Sequence, residues 1–242
     1  MRRRPARTAP FAMPVRHARP PAPARARPEE FRMHLFRLDA SIIPGTSTSS
    51  ELAGTAEAAW AAAHPEGTVT RRNLGTDPLP GDAWTHATLG AFTPEDQRSA
   101  EQRAAVALGA ELAEELRSAD AAIIAVPLYN WGVSQHFKTW VDLVIAGAGP
   151  TDELLKDKPV VLATSLGGGF APGTPREGWD HSTPYLERIL RDVWGADLTT
   201  VRRELTLAQV NPAMESLRGL AAEYHTQALE AADAAGKALV RG

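Results

Sequence analysis

The sequence predicts an α/β domain in which a central parallel sheet is covered by helices on both faces. Two observations carry this prediction. Segments with the apolar spacing of strands alternate along the chain with segments that have the apolar spacing of helices. Two of the strand segments, residues 121–126 and 159–164, are almost continuously apolar, which is typical of strands buried on both faces of a parallel sheet.

The predicted elements follow a regular order. They are strand 31–38, helix 49–63, strand 67–73, a long helix opened by Pro94, strand 121–126, helix 134–148, strand 159–164, helix 184–194, strand 198–207 and a final helix from Pro212. Apolar residues three and four positions apart identify the helices, as with Leu52, Ala56 and Trp60 in the first. Because each strand is followed by a helix, the connections favour five parallel strands in one sheet.

Composition excludes several classes of protein. Hydrophobic residues make up 43% of the 242-residue chain and charged residues 23%, so a sizeable core is expected. The absence of cysteine excludes disulfides, thiolate metal sites and a cysteine nucleophile. The seven histidines show no metal-ligand spacing, so no metal is expected. No apolar run reaches the roughly 18 residues needed to cross a bilayer, so no membrane partner is expected.

The first 32 residues differ in composition from the rest of the chain. They hold nine arginines, and seven prolines fall between Pro5 and Pro28. We expect residues 1–30 to form a disordered basic extension rich in Arg, Pro and Ala, and residues 31–242 to form the folded domain. A targeting segment, or a start codon placed upstream of Met33, is the alternative for this extension. Residues 33–242 carry 17 basic and 27 acidic residues, a net charge of −10, which argues against nucleic acid as a partner.

Three loops follow the first, third and fourth predicted strands, where open α/β sheets bind ligands. Loop 39–50 is rich in hydroxyl groups, lacks lysine and leads into a helix, which suits a phosphate monoester; a helix cap before a flexible turn is the alternative. Loop 127–132 holds two aromatic residues and an amide, which suit a flat heteroaromatic ring, or else form a packed turn. Loop 165–175 has three consecutive glycines, which allow close approach to a ligand, or else a mobile loop.

These loops carry a resemblance to a known family. The segment 125–142, AVPLYNWGVSQHFKTWVD, resembles the Pro-Met-Tyr-Asn-Phe motif and the following helix of FMN-dependent NADH-azoreductases and NAD(P)H:quinone reductases. Ser41, Ser47 and Ser49 resemble that family's phosphate loop, and residues 165–168 resemble its Ser-Arg-Gly-Gly segment. The resemblance implies a flavodoxin-like fold with five parallel strands in the order 2-1-3-4-5.

The resemblance also implies a cofactor and its contacts. FMN would be the bound cofactor, and its phosphate would be held by Ser41, Ser47, Thr48 and Ser49. Its isoalloxazine would lie along Leu128, Tyr129, Asn130 and Trp131. The ring and the ribityl chain would be contacted from the other side by Ser165, Leu166, Gly167 and Gly168. The flavin would carry the chemistry, passing a hydride from NADH or NADPH to a quinone, an azo compound or a related small aromatic substrate. No catalytic side chain is then required. The resemblance further implies a cytoplasmic homodimer, and the exposed apolar positions expected on helix 137–145 are compatible with dimerisation.

Three departures from the family pattern keep other functions open. Leu128 stands where the family has Met, and Leu166 stands where it has Arg, which removes a cation near the flavin. The connection 149–157 is shorter than in the family, which we expect to open the substrate pocket. A flavoenzyme of a biosynthetic pathway with a specialised substrate is therefore one alternative, and a flavin-binding electron carrier or sensor without turnover of its own is another.

Overall fold

Five parallel strands form one sheet in the order β2-β1-β3-β4-β5, as predicted. The structure is a computed structural model that describes residues 32–43 and 45–239, so the predicted extension 1–30 lies outside the described residues. The strands are β1 (His34–Asp39), β2 (Thr68–Asn73), β3 (Ala121–Pro127), β4 (Pro159–Ser165) and β5 (Asp197–Arg203). The central strand β3 is buried along its whole length, as its continuous apolar run predicts.

Helices cover both faces of this sheet. They are α1 (Thr48–Ala63), α2 (Ala83–Ala91), α3 (Ala100–Ser118), α4 (Gln135–Ala148), α5 (Thr183–Glu187) and α6 (Arg218–Ala238). Two 3₁₀ segments, Glu95–Gln97 and Pro212–Leu217, precede α3 and α6, and a π-helical stretch, Arg188–Val193, continues α5.

The two faces of the sheet bury separate cores because successive strand residues point in opposite directions. Ile123 packs with the side chains of α1 and α6, whereas Ile124 packs with those of α2, α3, α4 and α5. The larger core is built around Trp140 of α4, which is fully buried and packs against the rings of Phe36 at 6.4 Å and Trp194 at 5.5 Å. The sequence therefore supplies two apolar layers, and the sheet separates them.

Several predicted boundaries were wrong. Helix α2 was missed, because its nine residues follow a stretch dominated by Pro78, Pro80 and Gly81. The long helix begins after Ser99 and not at Pro94, because Ser99 and Gln102 form a reciprocal capping box. The last strand ends at Arg203 and not at residue 207, because Leu205 has a positive φ of 60° that breaks extended pairing.

One expectation about the region around α4 was wrong, and a second stays a prediction. Its apolar residues Phe137, Val141 and Val144 are buried in the core, so they offer no surface for dimerisation. The short connection 149–157 lies at the amino end of β4, at the sheet edge opposite the three loops. The expected effect of its length on the substrate pocket stays a prediction.

Candidate functional site

The three loops converge at the carboxyl edge of the sheet around one cleft of about 280 Å³, which we call the serine–glycine cleft. It is lined by Ser41, Ile43, Thr46, Ser47, Thr48, Pro127, Leu128, Tyr129, Ser165, Gly167, Thr206 and Leu207. None of these side chains carries a charge. The position agrees with the rule that open α/β sheets bind ligands beyond the carboxyl ends of their strands.

The first loop brings the amino end of α1 to this cleft. Ser47 is the N-cap of α1, and its side-chain oxygen accepts a hydrogen bond from the Ser50 amide at 3.3 Å. The first N–H groups of a helix have no acceptor within the helix, and the helix dipole adds partial positive charge there. An anion at the amino end of α1 would therefore meet N–H and hydroxyl donors without a lysine, which fits a phosphate monoester.

The second loop forms a tight turn in which Tyr129 and Gly132 exchange two backbone hydrogen bonds. The two central residues, Asn130 and Trp131, both have positive φ, 47° and 65°. Asparagine tolerates this conformation, but it is strained for tryptophan, and such strain concentrates at functional sites. The turn directs Tyr129 back to the first loop, where its hydroxyl lies 3.1 Å from the Ser41 hydroxyl oxygen.

The first part of the third loop, residues 166–168, is held by backbone pairing. The Leu166 amide donates to the Arg203 carbonyl, and the Leu166 carbonyl accepts from the Thr206 amide at 3.1 Å. The Leu205 and Leu207 amides donate to the carbonyls of Gly168 and Gly167. The segment after β4 is therefore held by the segment after β5.

The structure brings seven of the twelve predicted cofactor residues to the lining of this cleft: Ser41, Ser47, Thr48, Leu128, Tyr129, Ser165 and Gly167. The other five lie nearby but do not line it. Ser49 is buried and bonded to Ser47, and the side chain of Leu166 is fully buried.

The remaining predicted residues also lie outside the lining. Gly168 lies beneath the guanidinium of Arg176, which would be 3.0 Å from an added Cβ. Asn130 lines a neighbouring cleft, and Trp131 is 47% exposed at its rim. The contacts predicted for these residues with the cofactor stay predictions.

Five lining residues were not among the predicted contacts: Ile43, Thr46 and Pro127, which lie in the predicted loops, and Thr206 and Leu207, which lie outside them. Thr206 and Leu207 come from the loop after β5, which the sequence analysis assigned to a strand. The run Glu204-Leu-Thr-Leu207 alternates polar and apolar residues as a strand does, so nothing in it indicates a turn. Only the pairing with the glycine loop brings these two residues to the site.

A second cleft of about 550 Å³ adjoins the first on the other side of Tyr129, and we call it the α4 cleft. Its lining comprises Ile42, Tyr129, Asn130, Gly132, Val133, Ser134, Gln135 and His136. At its rim, Trp131 and Trp179 form an edge-to-face pair with ring centroids 6.3 Å apart. The apolar Ile42 and the two indole rings suit a flat aromatic molecule next to whatever the serine–glycine cleft binds.

Two guanidinium groups lie behind the loops. Burial alone would lower the pKa of Arg37, but its bonds to Asp39 and Glu57 outweigh burial and raise that pKa. Burial lowers the pKa of Arg203, an effect that Glu51 partly offsets. Arg203 is the last residue of β5 and pairs in register with Ser165. Both arginines remain cationic at neutral pH, and the charge of Arg37 is balanced by the carboxylates of Asp39 and Glu57.

The fold and the site define a flavodoxin-like protein with an uncharged cleft at the carboxyl edge of its sheet. Residues 33–228 match the Flavodoxin_2 family, described as having a flavodoxin-like fold, and the chain belongs to that family. The family resemblance expected from the sequence is thereby confirmed.

Similar proteins give a more specific comparison. The chain is 41% identical over 205 residues to an FMN-dependent NADH:quinone oxidoreductase of Frankia casuarinae, covering 82% of this chain and 96% of that protein. It is 40% identical over 214 residues to a protein of the same name from Frankia alni, covering 86% and 97%. A crystal structure of an azoreductase from Bacillus anthracis str. Sterne superposes with a TM-score of 0.69 at 22% identity, covering 85% of this chain and 99% of that one.

Within residues 32–43 and 45–239, none of the helices combines the length and apolar character needed to cross a bilayer.

Proposed function

We propose that this chain is an FMN-dependent NAD(P)H oxidoreductase that reduces a quinone, an azo compound or a related aromatic acceptor. One observation carries the proposal: Ser47, Leu128 and Gly167, from three separate loops, line one uncharged cleft at the carboxyl edge of the sheet. The names of the two Frankia relatives agree with it.

In this proposal the serine–glycine cleft holds FMN. The amino end of α1, with Ser47 and Thr48, binds the phosphate, and the backbone of Leu128 and Tyr129 faces one side of the ring system. Ser165 and Gly167 contact the other side, where the Leu207 side chain packs into the space that a Cβ on Gly167 would fill. Bound FMN supplies hydride acceptance from a nicotinamide and transfer of two electrons to the acceptor.

The α4 cleft receives the molecule that exchanges electrons with the cofactor. The paired rings of Trp131 and Trp179 lie beside it, and Tyr129 lines both this cleft and the serine–glycine cleft. A hydride donor and an aromatic acceptor are both flat, so they can occupy the same space in turn. The chain itself then orients its reactants and needs no nucleophile.

We further propose a cytoplasmic homodimer. Some of the large apolar side chains that remain exposed lie in the loops at the carboxyl edge, where Ile42, Ile43, Trp179 and Val210 are 52%, 53%, 51% and 74% exposed. Another group, Trp84, Leu89 and Phe92, lies on and just after α2. A second copy would cover the rim at the carboxyl edge and close the α4 cleft. Light scattering after size-exclusion chromatography tests the dimer, and a monomer at micromolar concentration would refute it.

The proposed activity is tested first by its spectrum. The full chain, mixed with FMN and freed of excess, should show bound flavin that bleaches within seconds when NADH or NADPH is added without oxygen, and should recover its colour on adding a quinone. Bound flavin that is not reduced by either nucleotide would instead identify an electron carrier or sensor. A chain that binds no flavin would refute the assignment of the cleft.

A matched pair of variants tests the phosphate contact. Ser47→Ala and Ser99→Ala each remove the N-cap of one helix, and each should lower the free energy of unfolding by about 1 kcal/mol. Only Ser47→Ala should weaken FMN binding, by roughly tenfold. Riboflavin, which lacks the phosphate, should bind Ser47→Ala as well as it binds the unaltered chain.

A further inference from the structure

The glycine loop is held by a buried carboxylate that the sequence analysis did not identify. Glu204 directly follows β5, and its side chain is 10% exposed. One of its oxygens accepts a hydrogen bond from the Phe170 amide at 2.7 Å. Phe170 comes two residues after Gly168, so this bond fixes the far end of the segment that lines the serine–glycine cleft.

The second oxygen of Glu204 extends the contact across the site. It lies 2.8 Å from a guanidinium nitrogen of Arg202, and another nitrogen of Arg202 lies 3.5 Å from the carboxylate of Asp180. Asp180 in turn accepts hydrogen bonds from the amides of Ser182 and Thr183 at the start of α5. We call Asp180, Arg202 and Glu204 the loop clamp.

The loop clamp also reaches the aromatic wall. The residue after Asp180, His181, donates its amide to the carbonyl of Trp131 at 3.0 Å, and the residue before it, Trp179, packs against the Trp131 ring. Arg202 therefore forms an ion pair with Glu204, which holds the glycine segment, and lies at ion-pair distance from Asp180, whose neighbours contact Trp131. Both walls of the proposed active site depend on the same guanidinium.

We infer that Glu204 and Arg202 are positioning residues, with Glu204 holding the glycine loop in the conformation that receives the flavin ring and Arg202 joining that loop to the Trp131 wall. This inference rests on the proposed function. Neither side chain lines the serine–glycine cleft, so both act through the backbone of residues 166–170 and 179–183.

The cost of breaking the clamp follows from burial. Without the Glu204 carboxylate, the buried Phe170 amide loses its acceptor, and a buried unsatisfied donor is strongly unfavourable. Asp180 would still balance the charge of Arg202, so Glu204→Ala is the milder change. Loss of Arg202 would leave two carboxylates, each about nine-tenths buried, without their shared cation.

The test compares Glu204→Ala and Glu204→Gln with Glu114→Ala. Glu114 lies near the end of α3 at the opposite sheet edge, and its side chain is 66% exposed, so its removal leaves the site untouched. In the full chain without flavin, hydrogen–deuterium exchange of the Phe170 amide should accelerate about tenfold or more in Glu204→Ala. Glu204→Gln retains an oxygen acceptor and should keep most of the protection.

Flavin binding provides a readout that general destabilisation would not change. In Glu204→Ala, the dissociation constants of FMN and riboflavin should both rise by about tenfold, because the glycine loop contacts the ring and not the phosphate. This pattern differs from that of Ser47→Ala, which affects FMN alone.

The outcomes separate the clamp from the proposed function. Unchanged exchange at Phe170 and unchanged flavin affinity in a folded Glu204→Ala variant would overturn the inference. If Glu204→Ala fails to fold, Glu204→Met decides, because it fills the same space without an acceptor: faster Phe170 exchange than in Glu114→Ala with weaker FMN binding would support the clamp, and no difference would overturn it. If the unaltered chain binds no flavin, the proposed function fails, and the role of the loop clamp in flavin binding fails with it. Exchange at the Phe170 amide would still show whether Glu204 holds the glycine loop.

Discussion

Helices α3 and α4 cross so closely that a single added methyl group should destabilise the protein. They meet at Gly109 and Gly147, and a Cβ added at Gly147 would lie 2.1 Å from the carbonyl carbon and oxygen of Gly109. Carbon atoms pack at about 3.5–4.0 Å, and backbone atoms cannot rotate out of the way. In Gly147→Ala the two helices must therefore move apart by more than about 1 Å.

The size of the effect follows from two opposing terms. Separating α3 from α4 loosens the packing of Leu112 and Val144, which are fully buried in the larger core, and overpacking of this kind costs about 1–3 kcal/mol, sometimes more. Alanine also favours the helix over glycine by about 1 kcal/mol. Because the clash is with backbone, we expect the loss of packing to exceed the gain in helix propensity. Gly147→Ala should therefore lower the free energy of unfolding by about 1–2 kcal/mol.

Gly54→Ala is the matched control. The nearest atom to a Cβ on this α1 glycine is a guanidinium nitrogen of Arg37 at 3.8 Å, an ordinary contact. This variant gains helix propensity without a clash, so its free energy of unfolding should rise by up to about 1 kcal/mol. Urea denaturation of the full chain, followed by circular dichroism, measures both changes. A Gly147→Ala variant as stable as the unaltered chain would show that the close crossing does not exist in solution.

Two further predictions concern pH. Burial would raise the pKa of Glu57, but its bonds to Arg71 and Arg37 outweigh burial and lower that pKa below 4.5. The ionised Glu57 therefore stabilises the fold above about pH 4.5, and this stability is lost as the pH falls through the lowered pKa. Glu57→Gln should lower the free energy of unfolding by about 1 kcal/mol at pH 7 and reduce its acid dependence in urea titrations; an identical acid dependence would contradict this. Burial, with the nearby Asp142 carboxylate, raises the pKa of Tyr185 to about 12. The unfolded phenol ionises near 10.0, so folding stability should decline between those values, and Tyr185→Phe should abolish both that decline and the late tyrosinate absorbance step.

The order of strands and the position of the site could be predicted because both depend on regular patterns. The apolar run in β3 and the helical spacing of residues such as Leu52 and Trp60 are repeated signals that tertiary contacts rarely override. Once the strands are parallel, their following loops must meet at one edge, which brought Ser47, Leu128 and Gly167 together as expected. Helix α2 was missed because nine residues after a proline-rich stretch give too few repeats of the helical period.

The sequence by itself determined the α/β order, the two apolar faces and the hydroxyl, aromatic and glycine character of three loops, because these properties depend on residues close together in the chain. Only the tertiary structure decided which side chains face the cleft. The side chain of Leu166 is buried in the core, and Thr206 and Leu207, which follow β5, line the cleft. Glu204 accepts a hydrogen bond from the amide of Phe170, which is 34 residues away in the sequence. A buried amide must find an acceptor wherever the fold offers one, and a linear sequence does not record which distant carboxylate that will be.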